Sequence, residues 1–333
     1  MTWLSDPALS RLREAVAAPD LSATRYELVA TLGRGGMATV YLARDRNLQR
    51  EVALKVLDLP EAWTRVDAGG AERLAREACV LAQLEHPGIV PVHEMGLLPD
   101  GRAFYAMRRV RGSRLDAWAE SATLPAALRA FERICEAVAF AHAHGVLHRD
   151  LKPANVMVGP FGEVLVLDWG VAKRRGEAEI RSRGDRAALD PPAMPDPPAA
   201  PGATAAGTVL GTPGYMAPEQ ERGELERIDE RTDVFGLGAI LEALLARVAL
   251  QRVPPPLRAI VAKAKAPLPE QRYASAEDLA ADLRHYVDGA AVLAHREGPV
   301  ERAGRLVRRY RTPILIVLTY LAARALLLFL AGR

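Results

Sequence analysis

Cysteine is nearly missing from this chain. Cys79 and Cys135 are the only two in 333 residues, far apart and without metal-ligand spacing, which excludes a disulfide framework and a cysteine-based zinc site. Charge of one sign is lacking too. Lysine and arginine number 44 against 41 aspartates and glutamates, a formal net charge of +3, too small for a nucleic-acid binder, so no nucleic-acid partner is expected. Met1 to Pro7 contains no basic region followed by an apolar run, which argues against a secretory signal and keeps the globular part in the cytoplasm. No internal repeat is visible. What the chain does have is core-forming material: 50% of it is hydrophobic, enough for two lobes and a tail and incompatible with a disordered protein.

Residues 1–25 read as a short, partly helical leader, with Leu9, Leu12 and Val16 at helical spacing and a stop at Pro19-Asp20. From Tyr26 the pattern changes to β-prone runs, Tyr26 to Val29, Thr39 to Leu42 and Glu51 to Leu54, separated by glycine or polar turns. A small antiparallel sheet is expected there. Between Glu72 and Leu84 the residues Leu74, Ala78, Leu81 and Leu84 share one helical face, and Pro87-Gly88 ends the helix. Helical patterns dominate from about Leu115, notably Leu124 to His144 and Asp233 to Arg247. The fold class expected is therefore α+β and bilobal: a sheet with one helix, a hinge near Arg111-Gly112, and a mainly helical second lobe. Residues 185–207 depart from this texture. They hold six prolines and eight alanines, with Thr204 as the one β-branched residue, and are expected to form a mobile loop for want of apolar surface to bury.

The most informative stretch is His148-Arg149-Asp150-Leu151-Lys152-Pro153-Ala154-Asn155, followed by Asp168-Trp169-Gly170. Phosphoryl transfer from ATP needs such a set. One acid orients the attacking hydroxyl and takes its proton, while an Asp and an Asn hold the magnesium ions that neutralise the β- and γ-phosphates. Asp150, Asp168 and Asn155 fit these roles, although His-Arg-Asp alone would read as a polar turn between strands. The run resembles the catalytic loop of bacterial eukaryotic-like (Hanks-type) serine/threonine protein kinases. That resemblance implies a bilobal protein-kinase fold and ATP with Mg2+ or Mn2+ as cofactors, and it puts Lys152 on the γ-phosphate.

Gly33-Arg34-Gly35-Gly36-Met37-Ala38-Thr39-Val40 lies between two predicted strands, whereas a dinucleotide-binding fingerprint needs its glycines between a strand and a helix. Alone it reads equally as a flexible hairpin. Val52-Ala53-Leu54-Lys55 and Glu77 follow where the family has its phosphate-binding lysine and the glutamate that holds it. By resemblance Gly33, Arg34, Gly35, Gly36, Met37, Val40, Ala53, Lys55, Met107 and Val110 are the ATP-binding residues. Met107 is then the gatekeeper, with Arg108-Arg109-Val110 as the hinge and Arg108 in place of the frequent glutamate. Ala38 occupies the third glycine position, where a methyl should be tolerated at a modest cost in affinity.

Gly211-Thr212-Pro213-Gly214-Tyr215-Met216-Ala217-Pro218-Glu219 resembles the family's substrate-positioning loop. The likeness implies structural roles for Glu219, paired with Arg272, and for Asp233, anchoring the catalytic-loop backbone. Arg149 beside the catalytic acid suggests regulation by phosphorylation at Thr204 or Thr208, since a guanidinium forms charge-assisted bonds to phosphate. Two departures are visible. Trp169 replaces the family's Phe and is expected to alter the active/inactive equilibrium. The stretch from Arg247 to Pro267 is short, with Val253-Pro254-Pro255-Pro256 where a longer connection and an extra helix usually lie.

Ile314 to Ala331 contains eleven Ile, Leu, Val or Phe residues, and at 1.5 Å per residue it spans about 27 Å against a hydrocarbon core of ~30 Å. Arg324 costs roughly 2.5–3.5 kcal/mol at a helix centre, which the apolar residues offset. A single-pass membrane helix is expected. Arg302, Arg305, Arg308, Arg309 and Arg311 precede it, which puts the globular part on the cytoplasmic side of the inner membrane. The chain stops soon afterwards, so no extracellular sensor is expected.

The resulting domain reading is a leader 1–25, a protein kinase domain 26–288 with lobes 26–110 and 111–288, a basic juxtamembrane segment 289–313 and a transmembrane helix 314–331. The implied partners are ATP, protein substrates with Ser or Thr, the lipid bilayer, and a homodimer for trans-autophosphorylation. Two alternatives stay open. A pseudokinase would be a membrane-tethered ATP-binding scaffold weakened by Ala38, Trp169 or the shortened second lobe. A small-molecule phosphotransferase is disfavoured by the substrate loop at Gly211 to Glu219.

Overall fold

The computed structural model describes residues 18–35, 37–58, 68–169, 173–174, 214–248, 252–299, 302 and 315–324. The first lobe is a five-stranded antiparallel sheet in the order β1-β2-β3-β5-β4. Its strands are β1 (Tyr26–Arg34), β2 (Ala38–Asp45), β3 (Arg50–Leu57), β4 (Val92–Leu97) and β5 (Ala103–Arg108). One helix, α1 (Ala68–Gln83), packs against it.

Strand alternation gives this sheet two distinct faces. Tyr41 and Ala43 of β2, Val52, Leu54 and Val56 of β3, and Phe104 and Ala106 of β5 form one apolar cluster, which Leu21 and Tyr26 complete. The intervening residues face the other way, toward α1 and the second lobe. Leu57, Ala103 and Tyr105 lie there in the main core with Leu74, Ala78, Leu81 and Leu84, the helical stripe expected from spacing.

The second lobe contains β6 (Ser113–Arg114), α2 (Leu115–Ala119), α3 (Leu124–Ala143), β7 (Val146–Leu147), β8 (Val156–Val158), β9 (Val164–Val166), β10 (Lys173–Arg174), α4 (Pro218–Glu221), α5 (Glu230–Arg247), α6 (Pro255–Ala264) and α7 (Ala276–Val287). Thr123 caps α3 by accepting from the Ala126 amide, and Phe131, Ile134, Cys135 and Val138 are fully buried along the inner face of this helix. The proline run after Val253 does not lengthen a loop. Pro255 and Pro256 sit in the first turn of α6, where the missing amide hydrogens are not needed. Small sheets, β6-β8-β9 and β10-β7, complete the lobe.

Packing reaches beyond the expected limits of the domain at both ends. Ahead of Tyr26, Leu21 is buried and the carbonyl of Ala18 accepts from Arg102 Nη2 at 2.8 Å. Past Asp288, Val292 belongs to the main core. Asp282, fully buried, accepts there from Leu293 N at 2.5 Å, Ala294 N at 2.9 Å and Tyr273 Oη at 2.7 Å. Residues 315–324 are helical with exposed side chains, and among the described residues no helix is long and apolar enough to cross a membrane. The rest of the expected span, 314 and 325–331, lies outside the described residues.

Burying a valine contributes about 1.5–3 kcal/mol. A chain ending at Asp288 is therefore expected to melt about 3–10 °C below one ending at His295. Coincident midpoints in thermal unfolding would show that the 289–295 segment adds nothing to the domain.

Candidate active site

Register brings the predicted nucleotide residues onto the inner face of the first sheet. Val40 stands opposite Lys55, Lys55 opposite Tyr105, and Ala53 opposite Met107. Opposed residues of an antiparallel pair share a face, so Val40, Ala53, Lys55 and Met107 line one side of the cleft between the lobes. The β1–β2 turn closes with Gly35 N donating to Ala38 O at 2.9 Å. A Cβ at Gly35 would lie 3.2 Å from that oxygen, so glycine suits the turn sterically. Gly33 is half-buried, while Arg34 and Met37 are exposed on the turn. Gly36 lies outside the described residues. Ala38 is itself buried within β2 and tolerated by the turn. Val110 is half-buried just past β5.

Lys55 is the centre of the site. Its Nζ lies 2.8 Å from Glu77 Oε1 and 2.9 Å from both Glu77 Oε2 and Asp168 Oδ1. Tyr105 Oη donates to Glu77 Oε1 at 2.9 Å, fixing the carboxylate from its other side. Burial alone would lower the Lys55 pKa, but Glu77 and Asp168 outweigh it and hold the ammonium above the ordinary lysine range. Burial likewise pushes Asp168 upward, and Lys55 overrides it to keep this carboxyl below its usual range.

The catalytic loop follows β7. Asp150 Oδ2 receives Lys152 Nζ at 2.6 Å and Asn155 Nδ2 at 3.2 Å, and the same Nδ2 donates to the Asp150 carbonyl at 2.9 Å. With its nitrogen so committed, Asn155 has its amide oxygen as the atom that could bind a cation. A magnesium or manganese ion would take that oxygen together with Asp168. Among the described residues no three His, Cys, Asp or Glu side chains gather into a metal cage, so phosphate oxygens and water would complete the shell.

Asp233 shapes the loop from below. Fully buried, it accepts from His142 Nε2, His148 N and Arg149 N, each at 2.8 Å. Burial acts to raise its pKa, but these donors, His142 first, hold it below the usual range. Of the three non-glycine residues at positive φ among the described residues, two stand in the site, Arg149 at φ 67° and Asp168 at φ 59°, at a cost of about 1–2 kcal/mol each. Amides fixed by Asp233 make the first of these tolerable. Trp169 is buried in the main core, its ring 4.7 Å from that of His148, and it donates to Val166 O at 3.4 Å. Gly170 lies outside the described residues.

Glu219 and Arg272 form the expected pair, bidentate at 2.7 and 2.8 Å with both side chains fully buried. Sequence reasoning missed their neighbour. Gln220 Nε2 donates to Arg149 O at 2.8 Å while its Oε1 accepts from Ala217 N, tying the substrate-side segment to the catalytic loop. Tyr105 was missed as well; its only signal was its position opposite Lys55, visible once the register is known. Thr204, Thr208 and Gly211 to Pro213 lie outside the described residues, so the expected partners of Arg149 do too.

The protein kinase domain family model matches residues 26–254. The chain is similar to the serine/threonine-protein kinase PknD of Chlamydia muridarum, 33% identical over 333 residues, covering 88% of this chain and 34% of that protein. The PknD of Chlamydia trachomatis serovar D is 34% identical over 309 residues, covering 80% of this chain and 32% of the relative. That of Chlamydia pneumoniae is 33% identical over 307 residues, with coverages of 80% and 31%. The chain thus spans about a third of the length of these curated relatives.

Removing Arg272 would strand the buried Glu219 carboxylate, so Arg272→Ala is expected to cost about 3–5 kcal/mol in denaturant unfolding. Glu219's carboxyl is below its ordinary 4.5: burial raises it, and the Arg272 hydrogen bond leads the groups that override this. A depressed carboxyl stabilises fully above pH 4.5 and loses its contribution as pH falls through the folded value. The variant should therefore show a shallower loss of stability on acidification. A full-strength acid transition in Arg272→Ala would place the dependence elsewhere.

Proposed function

Because the chain belongs to the protein kinase family, we propose that it transfers the γ-phosphate of ATP to serine and threonine hydroxyls of proteins. The observation that carries this reading is Lys55 Nζ held at once by Glu77 and Asp168, with Asp150 positioned by Lys152 and Asn155 across the cleft. Lys55 orients the α- and β-phosphates. Asp150 accepts the hydroxyl proton as the oxygen attacks the γ-phosphorus, and the bond to the bridging oxygen breaks with its electron pair leaving on ADP. Asn155 and Asp168 would hold magnesium or manganese, which would neutralise the phosphate charge. A pseudokinase reading is not favoured, since each of these side chains is present and engaged.

Two further parts of the reading rest on sequence. Thr204 or Thr208 is the acceptor of an activating phosphate that Arg149 receives, added in cis or in trans within a homodimer. The apolar run 314–331, with five arginines between 302 and 311, supports attachment to the inner face of the plasma membrane.

Asp150→Asn is expected to lower phosphoryl transfer about 10²–10⁴-fold with the thermal midpoint little changed. Mass spectrometry of autophosphorylated wild-type chain should map phosphate between residues 174 and 212. Turnover at the wild-type rate by Asp150→Asn would remove that residue from its role. For the tail, full-length protein should stay with membranes through a carbonate wash; release by carbonate or high salt would make the contact peripheral.

A further inference from the structure

The segment that joins the lobes is cationic. Arg108, Arg109, Arg111 and Arg114 fall within seven residues. Among the described residues only Glu51 pairs with any of them, taking Arg109 and, at 2.9 Å, Arg111. Arg108 and Arg114 are exposed and have no carboxylate partner among the described residues.

Register decides where Arg114 lies. It stands opposite Met157 in the β6–β8 pair, and Met157 stands opposite Leu165 in the β8–β9 pair, so the three share one face of this small sheet. Val156, Val158, Val164 and Val166 project from the opposite face into the main core, which includes neither Met157 nor Leu165. Asn155 immediately precedes β8 and Asp168 follows β9 by two residues. The face bearing Arg114 is therefore the floor of the cleft at its hinge end.

Distance sets what Arg114 reaches. Paired Cα atoms are about 4.5–5.5 Å apart across the strands, and two residues along the strand are about 6–7 Å apart at right angles to that, so Arg114 begins about 7–9 Å from Asn155. Its side chain extends over a length equal to about two residues of extended chain, so it meets a peptide about two to four residues from the acceptor hydroxyl. The nucleotide offers nothing anionic there: its phosphates lie with Lys55 and the glycine turn, and adenine and ribose are uncharged. Asp116 accepts from the Ala117 amide at 2.9 Å, and Asp150 is taken by Lys152. Ala154, in the turn beside Asn155, carries a methyl.

We propose that Arg114 selects protein substrates that carry an Asp or Glu about two to four residues from the phosphorylated Ser or Thr. The inference rests on the phosphotransfer reading and adds a substrate class to it.

The test uses the full chain and three peptides with one Thr acceptor in an alanine background, flanked on both sides by Glu, Lys or Ala. The Glu peptide should exceed the Lys peptide about tenfold in kcat/KM, by an amount that shrinks as salt rises. Arg114→Glu should abolish or invert that ratio while KM for ATP stays within about twofold, and Arg114→Lys should keep most of it. An unchanged ratio in Arg114→Glu overturns the proposal. So does a rise in KM for ATP with the ratio intact, which would assign the arginine to the nucleotide. Wild-type activity on all three peptides without acidic preference sinks the substrate class alone; activity on none of them, without autophosphorylation, sinks the phosphotransfer reading too.

Discussion

One ammonium group, Lys55 Nζ, joins three segments that are distant in sequence: β3, which carries it, α1, which brings Glu77, and the stretch after β9, which brings Asp168 across from the other lobe. Its side chain is 15% exposed and that of Glu77 is 4% exposed, so each charge would be costly without the other. The pair is sustained only while α1 stays docked. Leu74, Ala78, Leu81 and Leu84 dock it in the main core, and Tyr105 holds the Glu77 carboxylate from the neighbouring strand. The apolar stripe of one helix therefore governs the electrostatics around Lys55.

The second lobe supplies a rigid counterpart. Asp233 organises the catalytic loop through the amides of His148 and Arg149, and Gln220 takes the Arg149 carbonyl, so this residue is held on both sides in a conformation it would not adopt freely. Asp150 follows directly and inherits that placement. Glu219, beside Gln220, is fixed by Arg272 in the fully buried pair. The Asp150 loop, the Glu219–Gln220 segment and the core thus form one connected set of buried polar contacts, which favours a single arrangement of the loop.

Much of this was legible in the sequence, for identifiable reasons. Alternation in Val52-Ala53-Leu54-Lys55 separates a buried face from a cleft face, and the spacing of Leu74, Ala78, Leu81 and Leu84 gives the helix. Lys55, Glu77, Asp150, Asn155 and Asp168 stood out because their side-chain chemistry suits one reaction. Less was visible where a role depends on three-dimensional register or on backbone groups. Tyr105 and Gln220 act through partners 28 and 71 residues away. Strands of two or three residues such as β6 and β8 are too short to show a period, so the place of Arg114 on the cleft floor emerges only from pairing. Leu21 is a single apolar residue in polar surroundings, and the apolar run 290–294 around Val292 is too short to show a period, so neither gave a pattern that would extend the domain past Tyr26 and Asp288.

The most direct measurement is label transfer by the full chain with magnesium, comparing ATP labelled at the γ-phosphorus with ATP labelled at the α-phosphorus, followed by phosphoamino-acid analysis of the protein. With Lys55 on the α- and β-phosphates and Asp150 at the acceptor hydroxyl, only the γ-label should appear, as phosphoserine or phosphothreonine. Label from the α-phosphorus, label on another residue type, or none on the chain or on added protein would contradict the account.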